Sequence, residues 1–179
     1  AWFALFFTQT CLIASHRVQW HKRLGVFGAL LALAILVIGP IVLVHAVTRG
    51  LHAPHGHRGF AMIFGVDLVI LFDFAVLVAS ALALRHRSDF HKRLMLLATC
   101  ALLFPAIARI TRLIPIGLPG ILLLLNGCVL VPVIVDTVRH HRLHPAFGWG
   151  APLLLASEQL AFYAALTPAW TQFVIRLFA

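Results

Sequence analysis

Apolar residues fall in six long runs, near residues 1–15, 25–48, 60–84, 94–114, 119–138 and 151–168. Short segments rich in His, Arg, Lys, Gly and Pro separate them. A bilayer core takes about 20 apolar residues per helix, and most of the runs have that length. They are rich in Leu and Ala and lack period-two alternation, so they predict helices rather than strands. Gly25 and Gly28 open the second run, Gly59 precedes the third, and Pro119-Gly120 begin the fifth. Pro152 suits the first turn of the sixth. Pro40 and Pro105 lie inside runs two and four, where membrane helices kink rather than break. After Pro168, Trp170, Phe173, Val174, Leu177 and Phe178 recur at helical spacing. This segment is expected either to lie along the interface or to continue the sixth helix past a kink. The first run is short and begins without Met, so some N-terminal residues are expected to be missing; no cleavable signal is visible.

Composition agrees with this pattern. The chain of 179 residues is 62% apolar and 11% charged, with mean hydropathy +1.02. Soluble domains carry about 25% charged residues. The reading is therefore an all-α polytopic transmembrane bundle, one domain over residues 1–179, with about six spans arranged as three hairpins. The net charge of +9 sits in clusters between apolar runs, which implies anionic lipid headgroups rather than nucleic acid as the partner. Cys11, Cys100 and Cys128 all fall within apolar runs and form no CxxC pair.

Counting Lys and Arg by side sets the orientation. The connectors after runs one, three and five hold nine of the 14 basic residues. The positive-inside rule places these connectors in the cytoplasm and both termini outside. Trp20 and Trp149 then fall at inner ends, and Trp2 and Trp170 at outer ends.

Two of the inner connectors are near copies. His16-Arg17-Val18-Gln19-Trp20-His21-Lys22-Arg23-Leu24 recurs as His86-Arg87-Ser88-Asp89-Phe90-His91-Lys92-Arg93-Leu94, identical at six of nine positions. Arg139-His140-His141-Arg142-Leu143-His144 is a looser third relative. Basic, aromatic turns anchor hairpin ends at an anionic leaflet. Anchoring leaves the histidines unexplained. His16, His21, His86, His91, His140, His141 and His144 form a candidate metal set, since neutral imidazole is a common ligand for iron, zinc and copper. The spacings HxxxxH, HxxxxH and HHxxH resemble the histidine boxes of membrane desaturases and hydroxylases, which implies iron as a cofactor. The last box is reversed relative to that family's HxxHH, and Lys or Arg beside nearly every histidine would repel a cation.

A second resemblance covers more of the chain. His91-Lys92-Arg93-Leu94-Met95, Pro105-Ala106-Ile107-Ala108-Arg109, and Asp136 with His144-Pro145-Ala146 and Trp149-Gly150 resemble a group of uncharacterised bacterial multi-pass membrane proteins. The resemblance implies a bacterial cytoplasmic-membrane protein and no particular activity.

Ionisable residues inside spans usually face protein or water. Asp67 shares a depth with Arg109 and Arg112 if the hairpin between runs three and four turns at Asp89, which predicts an ion pair. With His45 these residues form a candidate polar pocket able to accept a quinol hydroxyl or relay a proton. Asp73 and Glu158 are candidate proton carriers, and Asn126 lies in run five. Asp136 is expected to pair locally with Arg139 or His140, or to reach the basic turns of the repeats. His52, His55 and His57 form an outer HxxHxH cluster. No Walker loop, GxGxxG, GxSxG or HExxH occurs, so no complete catalytic set is present.

Three functions follow from this reading. The leading one is a non-catalytic accessory or structural subunit packed against other membrane proteins, an electron-transfer assembly being one setting. The second is a histidine-box di-iron oxidoreductase. The third is a proton-coupled carrier.

Overall fold

The structure, a computed structural model, describes residues 1–51, 57–110 and 117–178. The described residues form eight helices and no strand: α1 (Trp2–Ala14), α2 (Val18–Leu51), α3 (His57–Ala83), α4 (Ser88–Ala101), α5 (Phe104–Ile110), α6 (Gly117–His140), α7 (Pro145–Ala165) and α8 (Pro168–Phe178). Four segments are long and apolar enough to cross a membrane: Val18–Gly50, Gly59–Ala83, Ser88–Ile107 and Pro119–His140. The first apolar run gives only the 13-residue α1, short of a full crossing. α7 has the length, but Ser157, Glu158 and Gln159 lower its hydropathy.

Several boundaries differ from the sequence expectation. α2 starts at Val18, not near Gly25, because the basic turn already winds as helix beyond the apolar stretch. Run four is interrupted rather than kinked. α4 is capped at Leu102, and Pro105 falls in the first turn of the new helix α5, where its missing N–H costs nothing. α7 begins at Pro145, so Pro152 lies inside the helix rather than in its first turn. The start is set by His144, whose Nδ1 accepts the Ala146 backbone N–H at 3.1 Å and so supplies the N-cap. Pro40 lies within an unbroken α2, as expected.

The chain forms two compact units, Ala1–Ile41 and Val42–Ala179. In the first, α1 and the start of α2 make a hairpin through His16, whose φ of 57° turns the chain in the left-handed region. With the Gln9 amide oriented to satisfy its neighbours, its nitrogen donates to His21 Nδ1 at 2.5 Å and its oxygen accepts the Gly25 N–H at 2.9 Å. The duplicated segment has the same logic in the second unit, where His91 Nδ1 lies 2.8 Å from the Ala81 carbonyl on the helix before its turn. In both copies the second histidine ties the new helix to the one it follows. The third turn also contains a left-handed histidine, His141 at φ 52°.

The second unit is built around α3 and α7. α7 buries Ala146, Phe147, Gly150, Ala151, Leu154, Glu158, Phe162 and Ala165, a stripe at spacings of three and four residues. α3 places Phe74, Leu77 and Ala81 at zero exposure. From α4 come Leu94, Leu97, Ala98 and Ala101, also fully buried. The C-terminal stripe does not continue the sixth helix. α8 is a separate helix after Leu166 and Thr167. Its Val174 is buried with Leu43, Val47, Ala61 and Phe64, and its Trp170 Nε1 donates to the Ala61 carbonyl at 2.7 Å. Phe173 and Leu177, on its other side, stay exposed.

Candidate functional site

Polar chemistry in the second unit gathers in two places. One is the end of the unit where α3 turns into α4 and α6 turns into α7. Asp136, on the last turns of α6, faces Arg93 on α4. Arg93 Nε donates to one carboxylate oxygen at 2.9 Å and Nη2 to the other at 2.6 Å, a bidentate pair. Its Nη1 donates to the Asp89 carbonyl at 2.8 Å, and the guanidinium lies 5.9 Å from the Phe147 ring centroid. Arg93 is only 5% exposed, which a cation tolerates because all three of its faces are met.

Around this pair the histidines are already engaged. His140 Nδ1 lies 2.8 Å from the Asp136 carbonyl and 3.4 Å from its carboxylate. His144 Nε2 lies 3.1 Å from Asp89 Oδ2 while its Nδ1 caps α7. The Phe90 ring meets the His144 ring edge-on at 4.7 Å, and Arg87 sits over the other partner, Phe90, at 4.4 Å. An open pocket of about 170 Å³ lies among Asp89, Lys92, Arg93, Asp136, His140, Arg142 and His144.

The second and third basic turns therefore meet at one end, as their shared side of the membrane predicts. Of the two expected routes for Asp136, the local one holds for His140, and the reach to a repeat turn holds through Arg93. The candidate metal histidines are placed differently from a ligand set. Among the described residues no three His, Cys, Asp or Glu side chains gather as a metal ion requires. His91, His140 and His144 direct ring nitrogens at protein oxygens or backbone N–H groups, and His16 and His141 serve as left-handed turn residues. His86 is exposed just before α4, and His21 faces Gln9.

The second polar region runs through the middle of the helices. Asp73 on α3 has zero exposure. Ser157 on α7 donates to its Oδ2 at 2.5 Å, while Oδ1 is buried with no hydrogen-bond partner. Glu158 is also buried, at 8% exposure. Gln159 Nε2 donates to Asn126 Oδ1 at 3.3 Å, and the Cys100 thiol reaches the Cys128 carbonyl at 3.4 Å. Three polar contacts thus cross between α3, α4, α6 and α7 within apolar surroundings.

The proposed His45–Asp67–Arg109–Arg112 pocket lies largely outside the described residues: Arg112 and the Arg109 side chain are not described. His45 is exposed on α2, and Asp67 is partly buried on α3. The outer His52, His55 and His57 cluster lies outside the described side chains too.

In the sequence Arg93, Lys92 and Arg142 stand out as topology charges, with the repeat turns as one reach for Asp136, and Ser157 does not stand out at all. One signal for Arg93 was available. The chain has five acids, and Asp89 and Asp136 both stand inside basic segments, where a lone carboxylate implies an ion-paired partner. Ser157 carries no such mark, since serine is common in membrane helices. No family model matches the chain, no curated protein is similar to it, and no solved structure matches its fold.

Proposed function

We propose that the chain is a non-catalytic accessory or structural subunit of a bacterial cytoplasmic membrane. In this reading all six apolar runs lie in the membrane, the short α1 and the more polar α7 beside the four long apolar segments, with the basic turns inside and both termini outside. The supporting observation is how unevenly its helices are covered. Only 11% of the most apolar stretch of α6 is buried, against 50% for α3, although α6 is pinned at one end by Asp136. Val131, Ile134, Val135 and Val138 leave a broad apolar face on α6. Lipid or the helices of a neighbouring subunit cover such a face. The mass of the protein–detergent complex, extracted from native membranes under mild conditions, tests the reading. A subunit is expected to co-purify with a stoichiometric membrane partner of different sequence, so that the protein mass of the complex, with detergent subtracted, exceeds its own 19.7 kDa. A detergent-bound monomer that retains no partner at any detergent concentration would remove the assignment.

A second reading, a proton-coupled carrier, draws on Asp73. An acid of zero exposure with one oxygen unpartnered is costly in a membrane and is commonly kept for proton handling. Under this reading, pH-driven flux into liposomes falls at least about tenfold in Asp73→Asn or Glu158→Gln, the scale on which losing an essential proton-transfer group acts. Equal flux in parent and variants would exclude it.

A further inference from the structure

We infer that the pocket between the ends of α4, α6 and α7 binds a phosphate group, that of an anionic phospholipid headgroup. This rests on the membrane reading above. Some of the charges in the pocket are already matched. Asp136 is held by Arg93 through two hydrogen bonds, and Asp89 faces His144. Two cations remain. Lys92 and Arg142 both line the pocket, both are exposed, and neither makes a hydrogen bond with a described residue; Lys92 acts on Asp136 through its charge without touching it. His140 adds its outer ring nitrogen, since Nδ1 is turned to Asp136. Three permanent cations thus line the pocket against two carboxylates, a surplus of one positive charge, and Lys92 and Arg142 are the ones open to a ligand.

α4 starts at Ser88 and α7 at Pro145, and α3 and α6 finish at the same end, so the helix dipoles largely offset one another and the side chains carry the field. The volume of about 170 Å³ holds several water-sized groups, enough for a tetrahedral phosphate.

Depth then selects the source of the phosphate. Lys92 lies in the first turns of the apolar segment Ser88–Ile107, and His140 is the last residue of Pro119–His140. The pocket therefore sits where an apolar crossing meets water, the level of lipid phosphates. Basic pockets between helix ends are a recurring way to hold anionic headgroups. Leu143, between the lining residues Arg142 and His144, is exposed, as a residue in contact with acyl chains would be.

The test uses the full chain in detergent and in nanodiscs. Retention of phosphatidylglycerol and phosphatidylcholine is measured by native mass spectrometry for the parent, for Lys92→Gln/Arg142→Gln, and for Arg85→Gln/Arg139→Gln, which removes two charges from nearby turns outside the pocket. The parent is expected to retain phosphatidylglycerol about tenfold more than phosphatidylcholine, the pocket variant to lose that preference, and the control to keep it. Lys92 and Arg142 make no protein hydrogen bond, so the variant should melt like the parent, and melting is measured alongside. Inorganic phosphate is added as a competitor. Failure to displace the lipid supports the headgroup, while displacement at millimolar phosphate overturns the lipid assignment in favour of a soluble phosphate. Equal retention by parent and pocket variant, or an equal loss in the control, overturns the site. Release of the parent chain from membranes by alkaline carbonate would instead sink the membrane reading, so the two failures are separable.

Discussion

Replacing Arg93 with Gln is expected to destabilise the unit Val42–Ala179 by about 3 kcal/mol, the range found when one partner of a buried ion pair is removed. Arg93 joins three elements. It grips both oxygens of Asp136 on α6, donates to the Asp89 carbonyl in its own first turn, and covers Phe147 of α7. Gln can replace at most one of these hydrogen bonds. It also leaves the Asp136 carboxylate, whose side chain is 16% exposed, with His140 as its nearest remaining partner at 3.4 Å. The pocket admits water, which keeps the loss below the upper end for a fully buried pair. Unfolding by SDS titration in mixed micelles measures it. Arg93→Lys should recover only part of the loss, because an ammonium cannot make the bidentate contact. The double variant Arg93→Met/Asp136→Leu should come back to within about 1–2 kcal/mol of the parent, because it leaves no orphaned charge. If Arg93→Gln and Asp136→Asn each unfold with the parent, or their effects simply add, the pair does not hold these helices together.

The helices were largely legible in the sequence, and the site only half so. Hydrophobic length is a local property, and it located α1, α2, α3, α6 and α7 as single helices, while α4 and α5 share one run. The boundaries failed where helices continue past the apolar run. Val18 and Pro145 both start helices inside basic segments, since a helix end in the interfacial zone no longer needs apolar side chains. Taken within its apolar run alone, Pro105 predicts a kink. The break at Leu102–Leu103 needs the tertiary setting, in which Leu102 and Phe104 pack against the Val66–Phe162 cluster.

For the site, Asp136, His140 and His144 could be named from their positions. Their roles could not, because a histidine capping a helix and one binding a metal share the same sequence spacing. Arg93 lies 43 residues from its partner, and no periodicity connects them. The near-repeat showed that two hairpins turn alike, and His21 and His91 do reach back to the preceding helix in each. It also drew attention to shared residues. The chemistry of the pocket turns instead on a position where the copies differ, Asp89 against Gln19. Asp89 gives His144 its partner, and no such carboxylate is available to the first copy.

The second large effect concerns how closely α7 approaches α3 and α4. Gly150→Leu is expected to cost about 3 kcal/mol, at the upper end for overpacking a core. A Cβ at Gly150 would fall 2.6 Å from Leu97 Cδ1, 3.3 Å from Leu77 Cδ2 and 3.7 Å from Leu94 Cδ2. Ala146, four residues earlier, has zero exposure, so α7 presents a small-xxx-small face to its neighbours. Gly150→Ala should cost only about 1 kcal/mol, because the nearest atom is the tip of a leucine that can rotate away. A leucine at this position has no such room, with Leu77, Leu94 and Leu97 all fully buried around it. It must push α7 outward, which would lengthen the contacts of its neighbours, including Ser157 with Asp73. The same SDS titration reads the loss, and Leu97→Ala placed in the Gly150→Leu background should return about half of it by vacating the closest volume. Parent-like unfolding of Gly150→Leu would mean that α7 is not seated against α3 and α4. In that case Asp73 would also lose its hydrogen-bond donor, and the carrier reading would lose its main support.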